Sequence, residues 1–466
     1  MKKQKKYLKI RMKNTFTAER HCERSVAISP IGRLIATLIF VVFAIHCSAQ
    51  DVVDLSMLID RVLTENYQVK IVRNEAQQAA NNNTIGNAGF LPTVDLQGTN
   101  SRAWNNTRQK MYSGDIREGD NAETKILNGY IEAAWTVFDG FRMFATRDKL
   151  FTLEQIGNLD AKYFIEQTIT DVSIAYYQLV SEINLLENLQ KTLAVSQFRY
   201  KLQGKKRNVG AGTTLDYNLA IMDYHSDSLA VIRQEQVIKS LQIQLNRLTK
   251  QDLDIALKPA NKELTSQGIG NKEALAQQAV ESNKSIRLSM LQEIIADKNI
   301  RIAKSSRYPE VNLTGRYSFS RQNMEIGVTQ ENRTYGTTIG INVRMNLFDG
   351  LRLRQIIKNE ELTKENTSLM RQNTTDIVTS EILDCYYEYQ SLLNQQSLAK
   401  QNILLAESSQ SIASVQLEGG SINGYDFRQT QLAVINAQNQ LIRINFSLKA
   451  LEIEIGRLTG QLSDVL

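Results

Sequence analysis

The stretch VFDGFRM at residues 137–143 returns 210 positions later as LFDGLRL at residues 347–353. The same shift pairs DVSIAYYQL (171–179) with EILDCYYEY (381–389). It also pairs Gly210 and Asp216 with Gly420 and Asp426. This shift of 210 holds over more than 100 residues without a gap, which indicates that the chain contains a tandem duplication.

Nearer the start of each half, the shift is 217, as in FLPTVDL (90–96) and RYPEVNL (307–313). The seven-residue difference falls in a polar segment between Pro92 and Phe138, where a loop tolerates insertion. The sequence therefore predicts a first repeat at 51–250 and a second repeat at 271–466. A linker at 251–270 joins them.

Residues 1–50 read as a secretory signal peptide. They hold ten Lys or Arg and two acidic residues, and the apolar run LIATLIFVVFAI (34–45) precedes small residues. That run is shorter than the roughly 20 residues of a membrane-spanning helix. Cys47 could alternatively be a lipidated N-terminus. Residues 51–466 carry 45 basic and 47 acidic residues, so no nucleic-acid partner is predicted.

Apolar and polar residues alternate before each Phe-Asp-Gly, which predicts β-hairpins at 93–139 and 310–349. The clearest segments are YIEAAWTVF (130–138) and TIGINVRMNLF (338–348). Alternation gives each strand one apolar and one polar face. A soluble sheet on a core and a transmembrane barrel both produce this pattern, and alternation alone favours the sheet. Trp104, Tyr130 and Trp135 suit an aromatic belt at a bilayer boundary.

The segments that follow Gly140 and Gly350 favour the transmembrane barrel over the soluble sheet. Residues 140–210 and 350–420 contain no proline, and apolar residues such as Val172, Tyr176 and Leu179 recur at steps of four and three. A helix of about 65 residues would be roughly 100 Å long, which exceeds a compact domain. The helical spacing of apolar residues resumes after Gly210 and Gly420, so long helical hairpins are predicted at 140–249 and 350–459. A helix is also predicted at the start of each repeat, and a barrel with helical extensions explains the whole pattern.

The Phe-Asp-Gly motifs are then strand-to-helix junctions. The phenylalanine would lie at the membrane boundary, the aspartate would cap the helix, and the glycine would allow the change of direction. The predicted junction residues are Phe138, Asp139, Gly140, Phe348, Asp349 and Gly350. Four strands do not close a useful barrel, so several copies must contribute, and three copies give twelve strands.

This order of parts resembles the TolC-like outer-membrane efflux protein family over essentially the whole chain after the signal. The resemblance rests on the duplication, the paired junctions, Pro92 and Pro309, and the turns VGAGTTLDY (209–217) and EGGSINGYDF (418–427). It implies a mainly α fold with transmembrane β-strands. A duplicated coiled-coil tunnel would extend through the periplasm from a trimeric 12-stranded barrel in the outer membrane of a Gram-negative bacterium.

The resemblance also implies function. The chain would be a homotrimeric exit duct of a tripartite efflux or type I secretion system, with a periplasmic adaptor protein, an inner-membrane pump and outer-membrane lipid as partners. It implies no enzymatic activity and no cofactor. Asp216 and Asp426 would line the periplasmic constriction, where a ring of carboxylates attracts cations. The simpler interpretation, an aspartate in a first helical turn, stays open beside it.

The turn glycines Gly210, Gly212, Gly419 and Gly420 are predicted to meet the adaptor and also serve turn formation. Some relatives have an arginine two residues after the turn glycine, but this chain has Gly212 and Ile422 there. Arg207 and Arg428 are therefore the nearby candidates for contacts that close the tunnel.

The sequence gives little support to an enzyme or a metal-binding protein. His225 is the only histidine after the signal and Cys385 the only cysteine, so a His/Cys metal site or a catalytic triad is not expected. No phosphate-binding motif is present. The alternative function is a soluble periplasmic coiled-coil adaptor or structural spacer, which explains the helices but not the strand pairs. The cargo is not indicated.

Overall fold

The computed structural model describes residues 51–462, so the predicted signal peptide and Cys47 lie outside the described residues. The first repeat contains, in chain order, β1 (Asp51–Val53), α1 (Leu55–Glu65), α2 (Tyr67–Asn82), β2 (Thr93–Lys110), β3 (Ile116–Phe138), α3 (Arg142–Asn208) and α4 (Thr214–Thr249). The remaining elements are β4 (Leu257–Pro259), α5 (Lys272–Ser282), α6 (Lys284–Ser305), β5 (Glu310–Met324), β6 (Glu331–Arg344), α7 (Arg352–Glu418) and α8 (Gly424–Thr459).

The long helices of the two halves have equal lengths. Helices α3 and α7 each have 67 residues, and α4 and α8 each have 36. At 1.5 Å per residue the longer pair measure about 100 Å. Within residues 51–462, no helix is both long enough and apolar enough to cross a membrane.

Each repeat begins with two helices, where the sequence predicted one. The break falls at Asn66 and Asn283, whose side chains cap α2 and α6. Asn66 Oδ1 accepts hydrogen bonds from the backbone N–H groups of the next turn, the shorter at 2.8 Å. Its Nδ2 donates to the Leu248 carbonyl at 2.9 Å, and Asn283 donates to the Leu458 carbonyl at 3.1 Å. Each buried asparagine thus joins the start of a repeat to the end of its long hairpin.

The linker is more ordered than the sequence suggested. Its strand β4 pairs in parallel with β1, from Asp51 opposite Leu257 to Val53 opposite Pro259. This short sheet packs against a buried cluster formed mainly by α1, α3 and α4, which includes Leu58, Leu179 and Leu245. A separate cluster lies among α5, α6, α7 and α8. The predicted helical seam therefore forms the core of the first repeat.

The other four strands form one antiparallel sheet in the order β2–β3–β5–β6. The second hairpin is shorter than predicted, because β6 ends at Arg344 and not near 348. Residues 345–348 form no ladder, and the side chains of Leu347 and Phe348 are 87% and 78% exposed. Apolar and polar residues therefore still alternate in residues 345–348, but these residues form no strand hydrogen bonds.

The register gives the sheet two different faces, because residues directly opposite each other point the same way. One face, the apolar face, includes Val94, Leu96, Leu127, Ile131, Trp135, Phe138, Leu313, Tyr317, Phe319, Tyr335, Ile339 and Ile341. These large side chains are exposed or half-buried in the single chain.

The opposite face, the polar face, carries a hydrogen-bonded network. Thr136 Oγ1 donates to Asn312 Oδ1 at 2.7 Å, and Arg316 forms an ion pair with Glu132. The Arg316 guanidinium also lies 4.3 Å above the centroid of the Tyr130 ring. Tyr130 therefore belongs to the polar face, which corrects its assignment to an aromatic belt beside Trp135.

Candidate functional site

The two junction aspartates hold the first turns of the longest helices. Asp139 Oδ2 accepts a hydrogen bond from the Met143 N–H at 2.9 Å. Asp349 Oδ2 accepts one from the Leu353 N–H at 2.8 Å. Each carboxylate satisfies a helix N–H that has no partner within the helix. The chain passes from β3 to α3 within three residues, whereas seven residues separate β6 from α7.

The glycines that follow are needed for their backbone conformation. Gly140 and Phe141 both have left-handed φ values, 70° and 69°, and Gly350 and Leu351 both have 68°. The sites differ in packing. A β-carbon on Gly140 would lie 2.3 Å from the Ser305 carbonyl oxygen, whereas one on Gly350 would meet no atom within 4 Å. Only the first junction is packed against a neighbouring helix end.

The junction phenylalanines also differ. The Phe138 ring packs edge-to-face against Phe141, with centroids 5.3 Å apart, and Phe141 contacts Tyr308 in the same manner at 6.2 Å. Phe348 has no comparable aromatic contact among the described residues and is largely exposed. The first junction thus forms an aromatic cluster that the second lacks.

The far ends of the long hairpins are two copies of one turn. The Gly210 N–H donates to the carbonyl three residues earlier at 3.1 Å, and the Ala211 N–H donates to the carbonyl five residues earlier at 2.9 Å. Gly420 and Ser421 repeat this pair of bonds at 3.2 and 2.8 Å. The glycine φ values of 76° and 74° are left-handed, as a Schellman helix end requires.

The other two turn glycines have different roles. Gly419 has a helical φ of −75° and ends α7 in ordinary right-handed conformation. A β-carbon on Gly212 would approach Lys206 Cβ to 3.1 Å, so a small residue is favoured there by space.

Asp216 and Asp426 lie in the first turns of the returning helices. Thr213 Oγ1 accepts a hydrogen bond from the Asp216 N–H at 3.0 Å and donates to the Asp216 carboxylate at 2.7 Å. Asn423 Oδ1 accepts from the Asp426 N–H at 2.9 Å. Both carboxylates are exposed, one at the end of each hairpin, where the helix dipole favours negative charge.

A buried charge cluster, here called the tip network, connects the two hairpins near these ends. It consists of Arg199, Asp223, Asp227, Arg428 and Gln431. Arg428 donates from both terminal nitrogens to the Asp227 carboxylate, at 3.0 and 2.6 Å. It also donates to Gln431 Oε1 at 3.1 Å, and its Nε lies 3.7 Å from Asp223. A forked contact of this kind is among the strongest side-chain pairs.

Arg199 extends the tip network to the start of α8. It lies 3.2 Å from Asp223 Oδ2 and donates to the Gly424 carbonyl at 2.8 Å. Burial lowers the pKa of the Arg199 guanidinium, and the charge of Asp223 opposes that change. Helix α4 of one hairpin is therefore joined to α8 of the other by the buried Arg428–Asp227 pair, and α3 is joined to α8 by the hydrogen bond from Arg199 to Gly424.

The sequence indicated only part of this arrangement. Arg428 was a candidate, but its partners were not predicted, although Asp223 and Asp227 are four residues apart and share a helix face. Arg207, the other candidate, lies 3.9 Å above the Tyr217 ring within its own hairpin. It makes no contact with the second hairpin among the described residues.

Cys385 is the only free cysteine among the described residues. Burial, reinforced by nearby carboxylates such as Glu454, raises the pKa of the Cys385 thiol to about 11, so it is protonated at neutral pH. Within residues 51–462, no three His, Cys, Asp or Glu side chains are grouped so that they could hold a metal ion.

Comparison with known proteins agrees with this geometry. Residues 275–461 match the sequence model of the family described as outer membrane efflux protein. The second repeat is therefore similar to the outer membrane efflux protein family. The resemblance predicted from the junctions and turns is thus confirmed, and the comparisons give no support to a periplasmic adaptor or spacer. No curated protein matches the chain in sequence.

Solved structures of outer-membrane channels share the fold of the whole described chain. The CmeC outer membrane channel of Campylobacter jejuni superposes with a TM-score of 0.74 at 17% identity, over 88% of this chain and 86% of that one. VceC, an outer membrane protein of Vibrio cholerae, gives 0.70 at 18% identity, over 86% and 96%. CusC, studied for transmembrane channel formation, gives 0.71 at 14% identity, over 87% and 91%.

Proposed function

We propose that this protein is the outer-membrane exit duct of a tripartite efflux or type I secretion system. It would conduct substrates passively from an inner-membrane pump and a periplasmic adaptor to the outside. One observation carries the proposal: a four-stranded sheet with one apolar and one polar face continues into helices of 67 residues. Lipid would meet the apolar face, and water would meet the polar face.

Surfaces that a single chain leaves open support a homotrimer. Strands β2 and β6 are each paired on one side only. On α7, Leu398, Leu405 and Ile412 recur every seven residues and are 60%, 67% and 58% exposed. A heptad spacing of exposed apolar residues is typical of a helix that packs against a further helix. Three copies would close twelve strands into a barrel and pack these stripes within the tunnel wall.

The helical tips would form the periplasmic entrance. Three copies of Asp216 and Asp426 would place six carboxylates around it, which favours cations in the pore. The turns at Gly210 and Gly420 would meet the adaptor. Because the tip network joins the two hairpins of one chain through Arg428, it would keep them together in a narrow state.

The experiment is membrane fractionation followed by single-channel recording with the full-length protein. We expect the protein to remain in the outer membrane after carbonate washing, to migrate as a trimer in mild detergent and to form ion-conducting pores in planar bilayers. A soluble adaptor or spacer would be released by carbonate. Release into the wash, with no conductance from the purified protein, would refute the proposal.

A further inference from the structure

The apolar face has a definite height. From Phe138 to Leu127 along β3, this face spans eleven residue steps, one of which is the bulge at Val137. The ten remaining steps measure about 33 Å at roughly 3.3 Å per residue. A strand tilted by about 40° then covers about 25 Å across the membrane, the height of the apolar band in outer-membrane barrels. The face ends in an aromatic pair, Phe319 opposite Tyr335, at the end remote from the helices.

Directly beyond this band, the same face becomes positively charged. Arg321 stands opposite Arg333, and Arg102 stands opposite Lys125. We call these four residues the basic row. Their side chains are between 41% and 62% exposed. Like charges placed directly opposite each other on neighbouring strands destabilise a sheet unless an anion lies close to them.

The sheet supplies less negative charge than the basic row carries positive charge. Glu123 lies 3.8 Å from Arg102 and 2.9 Å from Lys125. Glu331 lies 3.0 Å from Arg321 and also forms an ion pair with Arg333. Two carboxylates therefore form ion pairs with four cations, and each carboxylate is shared by two of them. A third carboxylate, Glu325, lies beside Glu123 and accepts a hydrogen bond from its backbone N–H at 2.8 Å, so the four cations exceed the neighbouring carboxylates by one.

We propose that the basic row binds the phosphate groups of anionic lipid in the outer leaflet. The inference rests on the proposed function, which puts the apolar face against acyl chains. It deepens that function by naming the lipid. Arginine and lysine are the side chains that suit phosphate oxygens. Their stems can lie along the apolar band while the charged ends reach the headgroups, and an aromatic pair suits the same boundary.

The test measures lipid affinity of the detergent-solubilised full-length protein by native mass spectrometry. The probes are doubly phosphorylated lipid A, its monophosphorylated form and phosphatidylcholine. We expect affinity to fall in that order. Arg321→Gln combined with Arg333→Gln should weaken binding of doubly phosphorylated lipid A about 25-fold, since each basic residue near an anionic surface contributes a factor of roughly five.

Two further variants test whether lipid affinity follows the charge of the basic row. Glu331→Gln removes an anion from the basic row, so it should bind doubly phosphorylated lipid A more tightly than the wild type. Arg316→Gln is the matched control, because Arg316 lies on the same strand but on the polar face. It should leave lipid affinity unchanged.

Several results would overturn the inference. These are equal affinity for lipid A and phosphatidylcholine, an equal loss in Arg316→Gln, or complete displacement of the lipid by millimolar inorganic phosphate, which would indicate a site for free anions. Conductance in phosphatidylcholine bilayers is recorded separately. A wild-type protein that conducts but does not distinguish the lipids refutes only the lipid site, whereas one that never conducts refutes the proposed function and this inference together.

Discussion

The pair formed by Arg428 and Asp227 offers the sharpest test of how the hairpins are held. Their side chains are 9% and 10% exposed, and two hydrogen bonds join them. Arg428→Leu leaves the Asp227 carboxylate buried without these bonds, which costs about 3–5 kcal/mol. Asp227→Leu should cost less, because Arg428 keeps Asp223 at 3.7 Å and Gln431 at 3.1 Å. The double variant removes both charges and should be closest to the wild type.

Hydrogen–deuterium exchange of backbone amides measures this locally. At about 1.4 kcal/mol per factor of ten, Arg428→Leu should accelerate exchange at residues 424–431 by roughly 100-fold to 4,000-fold. Arg207→Leu is the control at the same end, since an exposed cation–π contact contributes about 0.5–1 kcal/mol and predicts a change of fivefold or less.

The reasoning about the tip network fails in either of two cases. Arg428→Leu could exchange at the wild-type rate, which would mean that the buried pair does not hold α8 in place. The double variant could instead show the sum of the two single effects, which would mean that the residues act independently and not as a pair.

Three further predictions concern other parts of the chain. Asp216→Asn with Asp426→Asn should reduce cation selectivity, seen as a reversal potential closer to zero in a salt gradient; an unchanged potential removes these residues from the pore. Gly140→Ala should lower the trimer's melting temperature more than Gly350→Ala. Both lose about 1–2 kcal/mol to left-handed strain, but only the first overlaps a backbone oxygen; equal losses would contradict this. Burial raises the pKa of Cys385 to about 11, so alkylation should be slow at pH 8 and accelerate above about pH 10 or on unfolding; rapid alkylation of the folded protein at pH 8 would contradict it.

Sequence reasoning succeeded where a local hydrogen-bond pattern controls the structure. The long proline-free runs are helices, and the aspartates of Phe-Asp-Gly lie within reach of N–H groups four residues later. The turn glycines Gly210 and Gly420 are left-handed because a helix end of this type needs such a residue. Asp216 and Asp426 were likewise expected in first turns, since helix ends favour that placement.

Other features depend on partners that are distant in the chain. β1 and β4 have three residues each and become strands only because they pair across about 200 residues. The break at Asn66 is secured by a hydrogen bond to Leu248, 182 positions away. β6 ends early because its ladder stops, although its alternation continues.

The sequence by itself determined the period of each element, the two-faced strands, the long hairpins and the ends that cap them, because these follow from interactions within a few residues. Only the tertiary structure decided which charges meet. Arg428 donates hydrogen bonds to Asp227, which lies 201 residues away in the chain, and Arg321 lies opposite Arg333 in the hairpin. A side chain's partner depends on how whole elements pack and on the strand register, and no short window of sequence contains that information.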